Sequence, residues 1–581
     1  MSMVTLTIDG QKVEIEQGAT ILDAARKAGI NIPTLCFLED INEIGACRIC
    51  VVEVKGAKAL QAACVAPVGN NMEVFTNSPD VRAARRTTLE LILSNHRQEC
   101  LTCIRNQNCE LQSLAEAFGI RNVRFEGAMS KHPIDDSSPS LVRDPEKCVL
   151  CRRCIAVCEK IQTVNAIGPH ERGFDMTIAP PFDLKMAEGV CTNCGQCVLV
   201  CPVAALHEKD QIEQVWAALS DPSKHVVVQT APATRVSLGE ALGMDQGSIV
   251  TGKMVAALRR MGFDKVFDTD FTADLTIMEE GYELIGRIKE KGVLPLVTSC
   301  SPGWIKFMEH FYPDLVDNIS TCKSPQQMFG ALAKTYYAEK MGIHPRDMFV
   351  VSIMPCTAKK YEAQRPEMSS TGYPDIDVVL TVRELARMIK QAGLNFEMLP
   401  SEEYDAPFGI TTGAGLIFGA TGGVMEAALR TAYEVLTGKT LEKIDFEGVR
   451  GLQGVKEAVV DVDGLKVKVA VAHGLGNARK VLDLVKAKKA GYHFIEIMCC
   501  PGGCIGGGGQ PIPTNTEIRE KRIKAIYQAD RQMKLRKSHE NPAVQELYKQ
   551  FLGHPLGHKS HELLHTHYTP RGQYKSLCAS D

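Results

Sequence analysis

The spacing of its cysteines constrains this chain more than any other feature of the sequence. The 581 residues include 22 cysteines, crowded into short clusters, whereas a secreted disulfide framework would spread them in pairs. In a reducing cytosol such clusters indicate bound metal. Paired C-x2-C units also build zinc ribbons, but the spacings found here favour iron–sulfur clusters.

The strongest local pattern is a C-x2-C-x2-C-x3-C run, which occurs at 148–158 and again at 191–201. In two-cluster ferredoxins the fourth cysteine of each run binds the other cluster. The sequence therefore predicts two [4Fe–4S] clusters in a bacterial ferredoxin-like domain. One set of ligands is Cys148, Cys151, Cys154 and Cys201, and the other is Cys191, Cys194, Cys197 and Cys158.

The N-terminal segment predicts a small domain of the plant-type ferredoxin, or β-grasp, class. Its residues alternate like a β-hairpin around Asp9-Gly10 and become helical after Thr20. Its cysteines are spaced C-x10-C-x2-C-x13-C, which resembles the variant found at the N-termini of large hydrogenases and respiratory dehydrogenase subunits. We expect a [2Fe–2S] cluster on Cys36, Cys47, Cys50 and Cys64.

A third group combines one histidine with three cysteines, spaced H-x3-C-x2-C-x5-C. Its histidine stands in the stretch 85–100, which is typical of a helix, and a lone histidine on a helix is more often a surface or core residue than a ligand. Three nearby cysteines reverse that interpretation. We expect a fourth cluster, of the [4Fe–4S] type, on His96, Cys100, Cys103 and Cys109.

Beyond residue 210 the pattern changes to helices that alternate with short apolar strands. The stretches 293–300, 348–356 and 493–500 each look like a buried strand that ends at cysteine. This alternation predicts α/β organisation, in which ligands bind outside the carboxyl ends of the strands. Three distant cysteine-bearing segments are therefore expected to meet at one site.

At these segments the chain resembles the [FeFe]-hydrogenase catalytic domain. TSCSPGW (298–304), MPCTAKK (354–360) and EIMCCPGGCIGGGGQP (496–511) look like its three signatures, in order. With the cluster motifs, the resemblance extends to about residue 567 and is strongest to the catalytic subunit of multimeric, NAD(P)-linked and electron-bifurcating hydrogenases. It implies an enzyme that interconverts H2 with protons and electrons. The implied division is 1–78 [2Fe–2S] domain, 79–125 His-ligated segment, 126–210 two-cluster domain, 211–568 catalytic domain and 569–581 tail.

The resemblance also implies the active centre, or H-cluster: a [4Fe–4S] cubane joined to a diiron unit with CO, cyanide and azadithiolate ligands. Cys356 and Cys500 would bind the cubane, and Cys504 would bridge it to the diiron unit. Lys359 would donate to a cyanide, and the glycines at 506–509 would let the backbone approach closely. Further contacts to the cofactor are implied for Ala231, Pro232, Gln326, Met354 and Met498.

The proton route implied by the resemblance consists of Cys300, Glu280, Ser320, Glu283 and Arg287. Glu280, Glu283 and Arg287 stand at i, i+3 and i+7, so they share one face of a helix expected to begin near Thr276. Without the resemblance, such a pattern would more often be a solvated charged face. The family assignment favours the catalytic interpretation.

Several positions depart from the family pattern. The first signature usually has two adjacent cysteines, one binding the cubane and one relaying protons, but this chain has Cys300 and Ser301 there. Thiolate binds iron better than serine, which favours Cys300 as the ligand with Ser301 in an outer hydrogen-bonding place. The alternative is that Ser301 binds and Cys300 relays. Two extra thiols near the site, Cys322 and Cys499, are interpreted as buried spectators.

Composition limits the partners. Lys and Arg number 66 against 69 Asp and Glu, a net charge of −3, and no basic block is present that could neutralise nucleic acid. Apolar runs are far shorter than the ~20 residues that span a bilayer, and no signal peptide pattern is seen, so a cytoplasmic protein without membrane contact is expected. The expected partners are ferredoxin and flavin- or NAD(P)-binding subunits. The alternatives are a hydrogenase-like H2 sensor or regulatory protein and an iron–sulfur assembly factor.

Overall fold

A computed structural model of the chain describes residues 2–441, 443–462 and 464–573. Cys578, in the predicted tail, lies outside the described residues. Within them, no helix combines the length and the apolar character needed to cross a lipid bilayer.

The N-terminal unit has the predicted hairpin and helix. The hairpin turns at Asp9 and Gly10, both with positive φ, and Thr20 caps the helix through a capping box with Asp23. One five-stranded sheet, in the order β2-β1-β5-β3-β4, packs against this helix. The elements are β1 (Met3–Ile8), β2 (Gln11–Glu16), α1 (Ile21–Lys27), β3 (Val51–Val54), β4 (Gln61–Ala62) and β5 (Glu73–Phe75).

The next segment contains α2 (Pro79–Ser94) and α3 (Glu110–Ala117). The helix predicted to carry His96 ends at Ser94 with Asn95 as its C-cap, so the expectation that His96 lies on the helix was wrong. Residues after a C-cap leave the helical path, and this places His96 in the same connection as the first two cysteines of its group.

The unit that contains the two cysteine runs is built as a repeat. Each run leads into a short helix whose N-cap is in the left-handed conformation, Arg152 with φ 62° and Gly195 with φ 67°. This turn lets three cysteines converge before the chain departs. The elements are β6 (Leu141–Arg143), α4 (Arg153–Ala156), β7 (Gly168–His170), β8 (Thr177–Ala179), α5 (Gln196–Val200) and β9 (Leu206–Glu208). β6 pairs with β9, and β7 with β8.

The remaining residues form an α/β unit with two four-stranded sheets, in the orders β11-β10-β13-β14 and β12-β17-β16-β15. The first sheet is parallel throughout, and in the second only β15 runs antiparallel to its neighbour. The strands are β10 (His225–Thr230), β11 (Lys265–Asp268), β12 (Leu296–Val297), β13 (Met348–Met354), β14 (Val378–Thr381), β15 (Val455–Val462), β16 (Leu465–His473) and β17 (Phe494–Met498).

Helices cover both sheets of this unit. They are α6 (Ile212–Leu219), α7 (Thr251–Arg260), α8 (Thr269–Lys289), α9 (Pro302–Phe311), α10 (Pro325–Leu332), α11 (Ala338–Met341), α12 (Ala358–Ala363), α13 (Val382–Gln391), α14 (Gly413–Leu416), α15 (Gly423–Thr437), α16 (Leu475–Lys486), α17 (Thr516–Gln532), α18 (Pro542–Leu547) and α19 (His558–Leu564).

Two local expectations for this unit needed correction or refinement. The helix with the glutamates was expected to begin near Thr276, but it begins at Thr269, because the side chain of Asp268 caps it by accepting from the Asp270 amide. The three cysteine-bearing strands are confirmed as β12, β13 and β17. They belong to two different sheets, whose carboxyl ends face one cavity.

Candidate functional site

A cavity, here called the main cavity, lies where the carboxyl ends of the two sheets meet. It forms because the chain turns sharply after β12, β13 and β17 and places a cysteine-bearing loop on each side. The cavity wall contains every residue that the sequence predicted to hold the cofactor. These residues are Ala231, Pro232, Cys300, Ser301, Gln326, Met354, Cys356, Lys359, Met498, Cys500 and Cys504.

Lys359 is fixed at the cavity edge by three hydrogen bonds. Its Nζ donates to the Cys300 carbonyl at 3.1 Å, the Ser324 hydroxyl at 2.7 Å and the Glu362 carboxylate at 2.9 Å. Glu362 also accepts from Gln326 at 3.1 Å. The ammonium is therefore held in one place with a single counter-charge, so it is positioned to meet an anionic group in the cavity.

The glycine-rich loop is needed for close backbone contacts. A Cβ on Gly507 would overlap the Pro355 carbonyl oxygen, and a Cβ on Gly508 would overlap the Cys194 carbonyl oxygen. No residue with a side chain fits at either position. The loop thereby joins the cavity wall to the neighbouring two-cluster unit.

The predicted proton-route residues run from the cavity towards the surface. Glu280 is buried, and burial together with the charge of Glu283 raises its pKa to about 8. The Ser320 hydroxyl donates to Glu283 at 2.8 Å and lies near enough to Glu280 to oppose the increase in the pKa of Glu280. Arg287 donates to Glu283 at 2.7 Å. The side chains of Glu283 and Arg287 are 11% and 15% exposed, so the series ends at the protein surface.

Cys300 lies at the inner end of this series. Burial raises the pKa of its thiol well above the ordinary value, and the charge of Glu280 acts in the same direction. Ser301, its neighbour, accepts a hydrogen bond from the Cys499 amide at 3.1 Å. The structure thus brings both residues to the cavity wall and places the Cys300 thiol beside Glu280.

The cysteines of the two runs surround two smaller cavities. Each cavity contains three cysteines of one run and the fourth of the other, as expected for two exchanged cubanes. One of them, called the outer-cubane cavity, contains Cys148, Cys151, Cys154 and Cys201. The other, called the inner-cubane cavity, contains Cys158, Cys191, Cys194 and Cys197. It lies next to the glycine-rich loop.

The cysteines of the N-terminal unit are also close together. The sulfur atoms of Cys50 and Cys64 are 3.3 Å apart, and the Cys47 amide lies 3.5 Å from the Cys36 sulfur. These thiols are largely buried. Such a compact set of thiols fits a small [2Fe–2S] group.

In the group of one histidine and three cysteines, one ring nitrogen of the histidine has no hydrogen bond among the described residues. His96 is buried, and its Nδ1 has no hydrogen-bond partner among the described residues. Buried polar atoms are almost always paired, so an imidazole nitrogen without a partner fits the predicted role of a metal ligand. Cys100 and Cys103 follow in the same connection between α2 and α3, and Cys109 is the N-cap of α3.

Sequence reasoning missed several residues around the main cavity. Glu362, which holds Lys359, follows it by three residues on α12, so the i, i+3 charge pair was an available signal. Thr269 and Phe418 also line the cavity, but they come from segments without a motif. Thr269 is the first residue of α8, and Phe418 follows α14, which packs against α8.

Family models match almost the whole chain. The match to the large subunit, C-terminal domain, of the iron only hydrogenase covers residues 224–508, and that to the iron hydrogenase small subunit covers 516–571. A 2Fe-2S iron-sulfur cluster binding domain matches 1–79, an NADH-ubiquinone oxidoreductase-G iron-sulfur binding region 85–124, and a 4Fe-4S dicluster domain 147–205.

Relatives also match this chain over nearly its whole length. The NADP-reducing hydrogenase subunit HndD of Solidesulfovibrio fructosivorans is 54% identical, with 98% of this chain and 100% of that protein covered. The chain belongs to the iron-only hydrogenases. Iron hydrogenase 1 of Clostridium pasteurianum is 43% identical over 97% of this chain and 100% of its own length. A solved [FeFe]-hydrogenase of Chlamydomonas reinhardtii is 48% identical, with a TM-score of 0.57, over 62% of this chain and 99% of that chain.

The family membership confirms the predicted activity and cofactor types. This hydrogenase is an oxidoreductase that acts on H2, and it carries [2Fe–2S] and [4Fe–4S] clusters together with the H-cluster. The donors around the main cavity fit the H-cluster: thiols for iron, methionines for an apolar wall, and one ammonium for an anionic ligand.

Proposed function

We propose that this hydrogenase exchanges electrons between H2 and external carriers, namely ferredoxin or NAD(P)-linked partner subunits, through four accessory clusters. The observation that carries the proposal is the unbroken series of contacts from the main cavity to the N-terminal unit. The residues assigned to each cluster are those predicted from the sequence, in the predicted division of domains.

The innermost contacts join the H-cluster cavity to the inner-cubane cavity. The Thr357 hydroxyl, next to Cys356, donates to the Asn193 carbonyl at 2.7 Å. Gln196 donates to the Gly506 carbonyl at 2.9 Å. Because Asn193 and Gln196 flank Cys194, a cluster in one cavity is separated from a cluster in the other by little more than one layer of backbone.

The outer-cubane cavity is in contact with both remaining groups. The Asn42 amide donates to the carbonyls of Cys36 at 2.7 Å and Cys151 at 3.0 Å, which joins the [2Fe–2S] group. The Glu110 amide, next to Cys109, donates to the Pro202 carbonyl at 3.0 Å, which joins the histidine group. These contacts support a branched path with two ends near the surface, each available to a different partner.

Protons are proposed to move along the series of residues that leads from Cys300 to Glu283 and Arg287 at the surface. The chemistry that the H-cluster supplies when bound is the heterolytic cleavage of H2 at iron. Because the Cys300 thiol lies beside Glu280, the proposal takes the second of the two assignments left open by the sequence, in which Ser301 binds the cubane and Cys300 relays protons. Cys300 takes up the proton released in the cavity and passes it to Glu280, and Ser320, which donates to Glu283, connects the two glutamates. Arg287 orients Glu283 at the surface, where the proton leaves to water. Lys359 holds an anionic ligand of the cofactor, and Met354 and Met498 exclude water.

The partner assignment is supported by the relatives. The relative that is 54% identical over its full length is named as a subunit of an NADP-reducing hydrogenase. A chain of this kind needs a separate nucleotide-binding subunit, because its own matched domains bind iron–sulfur groups. An H2 sensor would have no need for the complete series of Glu280, Ser320 and Glu283.

The partner proposal is tested by isolating the native complex under anaerobic conditions and identifying its subunits by mass spectrometry. We expect the chain alone to reduce methyl viologen with H2 but not NAD(P)+, and the complex to reduce both. If the chain alone reduces NAD(P)+, or if it is purified without any nucleotide- or flavin-binding subunit, the partner assignment fails. Negligible viologen turnover by a fully loaded chain would favour the sensor.

The cluster assignments predict metal content. With every proposed site filled, the anaerobic protein should hold about 20 irons per chain, given the usual iron numbers of these cluster types. Iron analysis and low-temperature electron paramagnetic resonance measure this directly. Zinc near the number of cluster sites, without iron–sulfur signals, would contradict the proposed electron path.

A further inference from the structure

Glu279 precedes Glu280 on α8, but its carboxylate is held in a different way. It is fully buried, and three groups from the C-terminal part of the chain reach it. These are the Tyr548 hydroxyl at 2.5 Å, the Leu556 amide at 2.8 Å and Nε2 of His565 at 3.2 Å. Burial opposes ionisation, but these hydrogen bonds lower the pKa of Glu279 below its ordinary value. Glu279 is therefore a fixed anionic anchor, whereas Glu280 carries protons.

His565 joins this anchor to the loop that carries Ser320. An ionised carboxylate only accepts hydrogen bonds, so Nε2 of His565 donates to Glu279. Nδ1 is left for the Thr321 hydroxyl, which lies 2.8 Å away. One imidazole, with 5% of its side chain exposed, thus connects α8 to the residue that follows Ser320. Helix α8 carries the two glutamates of the proton route, and the loop carries its serine.

The segment that contains His565 also pairs with the backbone of this loop. The Thr566 amide donates to the Thr321 carbonyl at 2.7 Å. The Lys323 amide donates to the Leu564 carbonyl, also at 2.7 Å. The two segments run antiparallel, and the C-terminal one belongs to the region that matches the iron hydrogenase small subunit. This segment therefore holds the loop by its backbone and holds α8 by the His565 side chain.

The position of the loop matters because the loop meets the proton route at Glu283. Ser320 donates to this carboxylate at 2.8 Å, and the Thr321 amide donates to it at 3.3 Å. Thr321 is exposed, and surface loops are more mobile than the helices and strands they connect. Proton transfer needs donor and acceptor within hydrogen-bond reach, so a displacement of the loop by about 1 Å would interrupt the step between Ser320 and Glu283.

We propose that His565 is a positioning residue for H2 turnover, which bridges α8 and the loop at 320–323 and so keeps the proton route in register. By holding Glu279 and Thr321 together, it keeps the Ser320 hydroxyl within hydrogen-bond distance of Glu283. It carries no proton along the route itself. The inference rests on the proton route of the proposed function and adds to that route a contribution from the C-terminal segment.

The test measures H2 evolution by the anaerobically loaded full chain in H2O and in D2O. Turnover is normalised to the H-cluster content, which the infrared CO and cyanide bands report. His565→Ala should lower turnover per H-cluster by about tenfold, the scale of two lost hydrogen bonds. Its solvent isotope effect should exceed that of the wild type, because proton transfer becomes a slower step. A loss of general stability would lower the H-cluster content and leave both quantities unchanged.

Two variants at Thr321 test the bridge from its other end. Thr321→Val removes the hydroxyl and keeps the shape of the side chain, so turnover per H-cluster should fall by about threefold or more and the isotope effect should rise. Thr321→Ser keeps the hydroxyl and should retain the wild-type values. Because Thr321 is exposed, both variants are expected to fold. They decide the question even if His565→Ala fails to fold.

His539→Ala is the matched control. His539 forms the same kind of bridge, since its Nε2 lies 2.8 Å from Glu434 and its Nδ1 lies 3.2 Å from the Thr431 hydroxyl. Both of these partners lie on α15, which carries no residue of the proposed proton route. This variant should keep the wild-type turnover per H-cluster and the wild-type isotope effect.

Three results would overturn the inference. One is wild-type turnover and isotope effect in His565→Ala. Another is a larger loss in Thr321→Ser than in Thr321→Val, which would mean that the side chain at 321 only packs. The third is an equal loss in His539→Ala, which would mean that any such bridge acts through stability alone. Unchanged turnover in Glu283→Gln is a different failure, because it would remove the proton route itself and this inference with it.

Discussion

Cys300→Ala should abolish H2 turnover and leave the H-cluster assembled. The Cys300 thiol lies beside Glu280, which when ionised adds to the effect of burial in raising the pKa of the thiol. Removing the thiol interrupts the proton route at its inner end, which should lower turnover by about a hundredfold or more. Viologen-linked H2 evolution measures turnover, and the infrared CO and cyanide bands report whether the cofactor is present.

The companion variant is Ser301→Ala, which distinguishes the two assignments that the sequence leaves open. If Cys300 relays protons, position 301 holds the cubane, so Ser301→Ala should weaken the infrared bands and lower the iron content. Should Cys300→Ala instead eliminate the bands, Cys300 is the cubane ligand and the relay assignment is wrong. The two variants are therefore expected to separate loss of chemistry from loss of cofactor.

Glu280→Gln should also stop turnover, for a different reason. Glu280 is buried, and its pKa of about 8 means that its carboxyl is mostly protonated at neutral pH. Glutamine preserves the size and neutrality of that group, so the fold should be kept, but an amide cannot accept and release a proton. We expect turnover to fall by about a hundredfold or more, with unchanged infrared bands. Glu283→Gln should have a similar effect at the next step.

The control for these variants is Glu290→Gln, which changes an exposed carboxylate at the C-cap of the same helix, α8. It should evolve H2 at the wild-type rate. Near-wild-type turnover in Glu280→Gln would remove this residue from the proton route, and loss of the CO and cyanide bands would show that its role is structural.

The sequence by itself determined the N-terminal part of this protein. An iron–sulfur cluster takes its ligands from a short loop, so spacing along the chain carries most of the information. The cysteine runs at 148–158 and 191–201 predicted even the exchange of the fourth cysteine, and the structure places those eight cysteines in the expected two groups. The three signatures of the catalytic domain likewise identified the family, which the comparisons confirm.

Tertiary structure decided what depends on residues far apart in the chain. That the three signatures lie in two sheets facing one cavity follows from strand order, which no local pattern encodes. Thr269 and Phe418 reach the cavity through helix packing, and helix α8 begins earlier than expected because one side chain, Asp268, caps it.

Cys499 shows this limit most clearly. Its sequence position, beside Cys500, permitted only the interpretation of a buried spectator, since nothing local distinguishes a packed thiol from a hydrogen-bonded one. Only the folded chain brings its carbonyl against the amide group of Gln162, 337 residues away, and its sulfur against Gly303. Short-range ligand geometry is thus contained in the sequence, whereas contacts between cluster sites depend on the packing of whole domains.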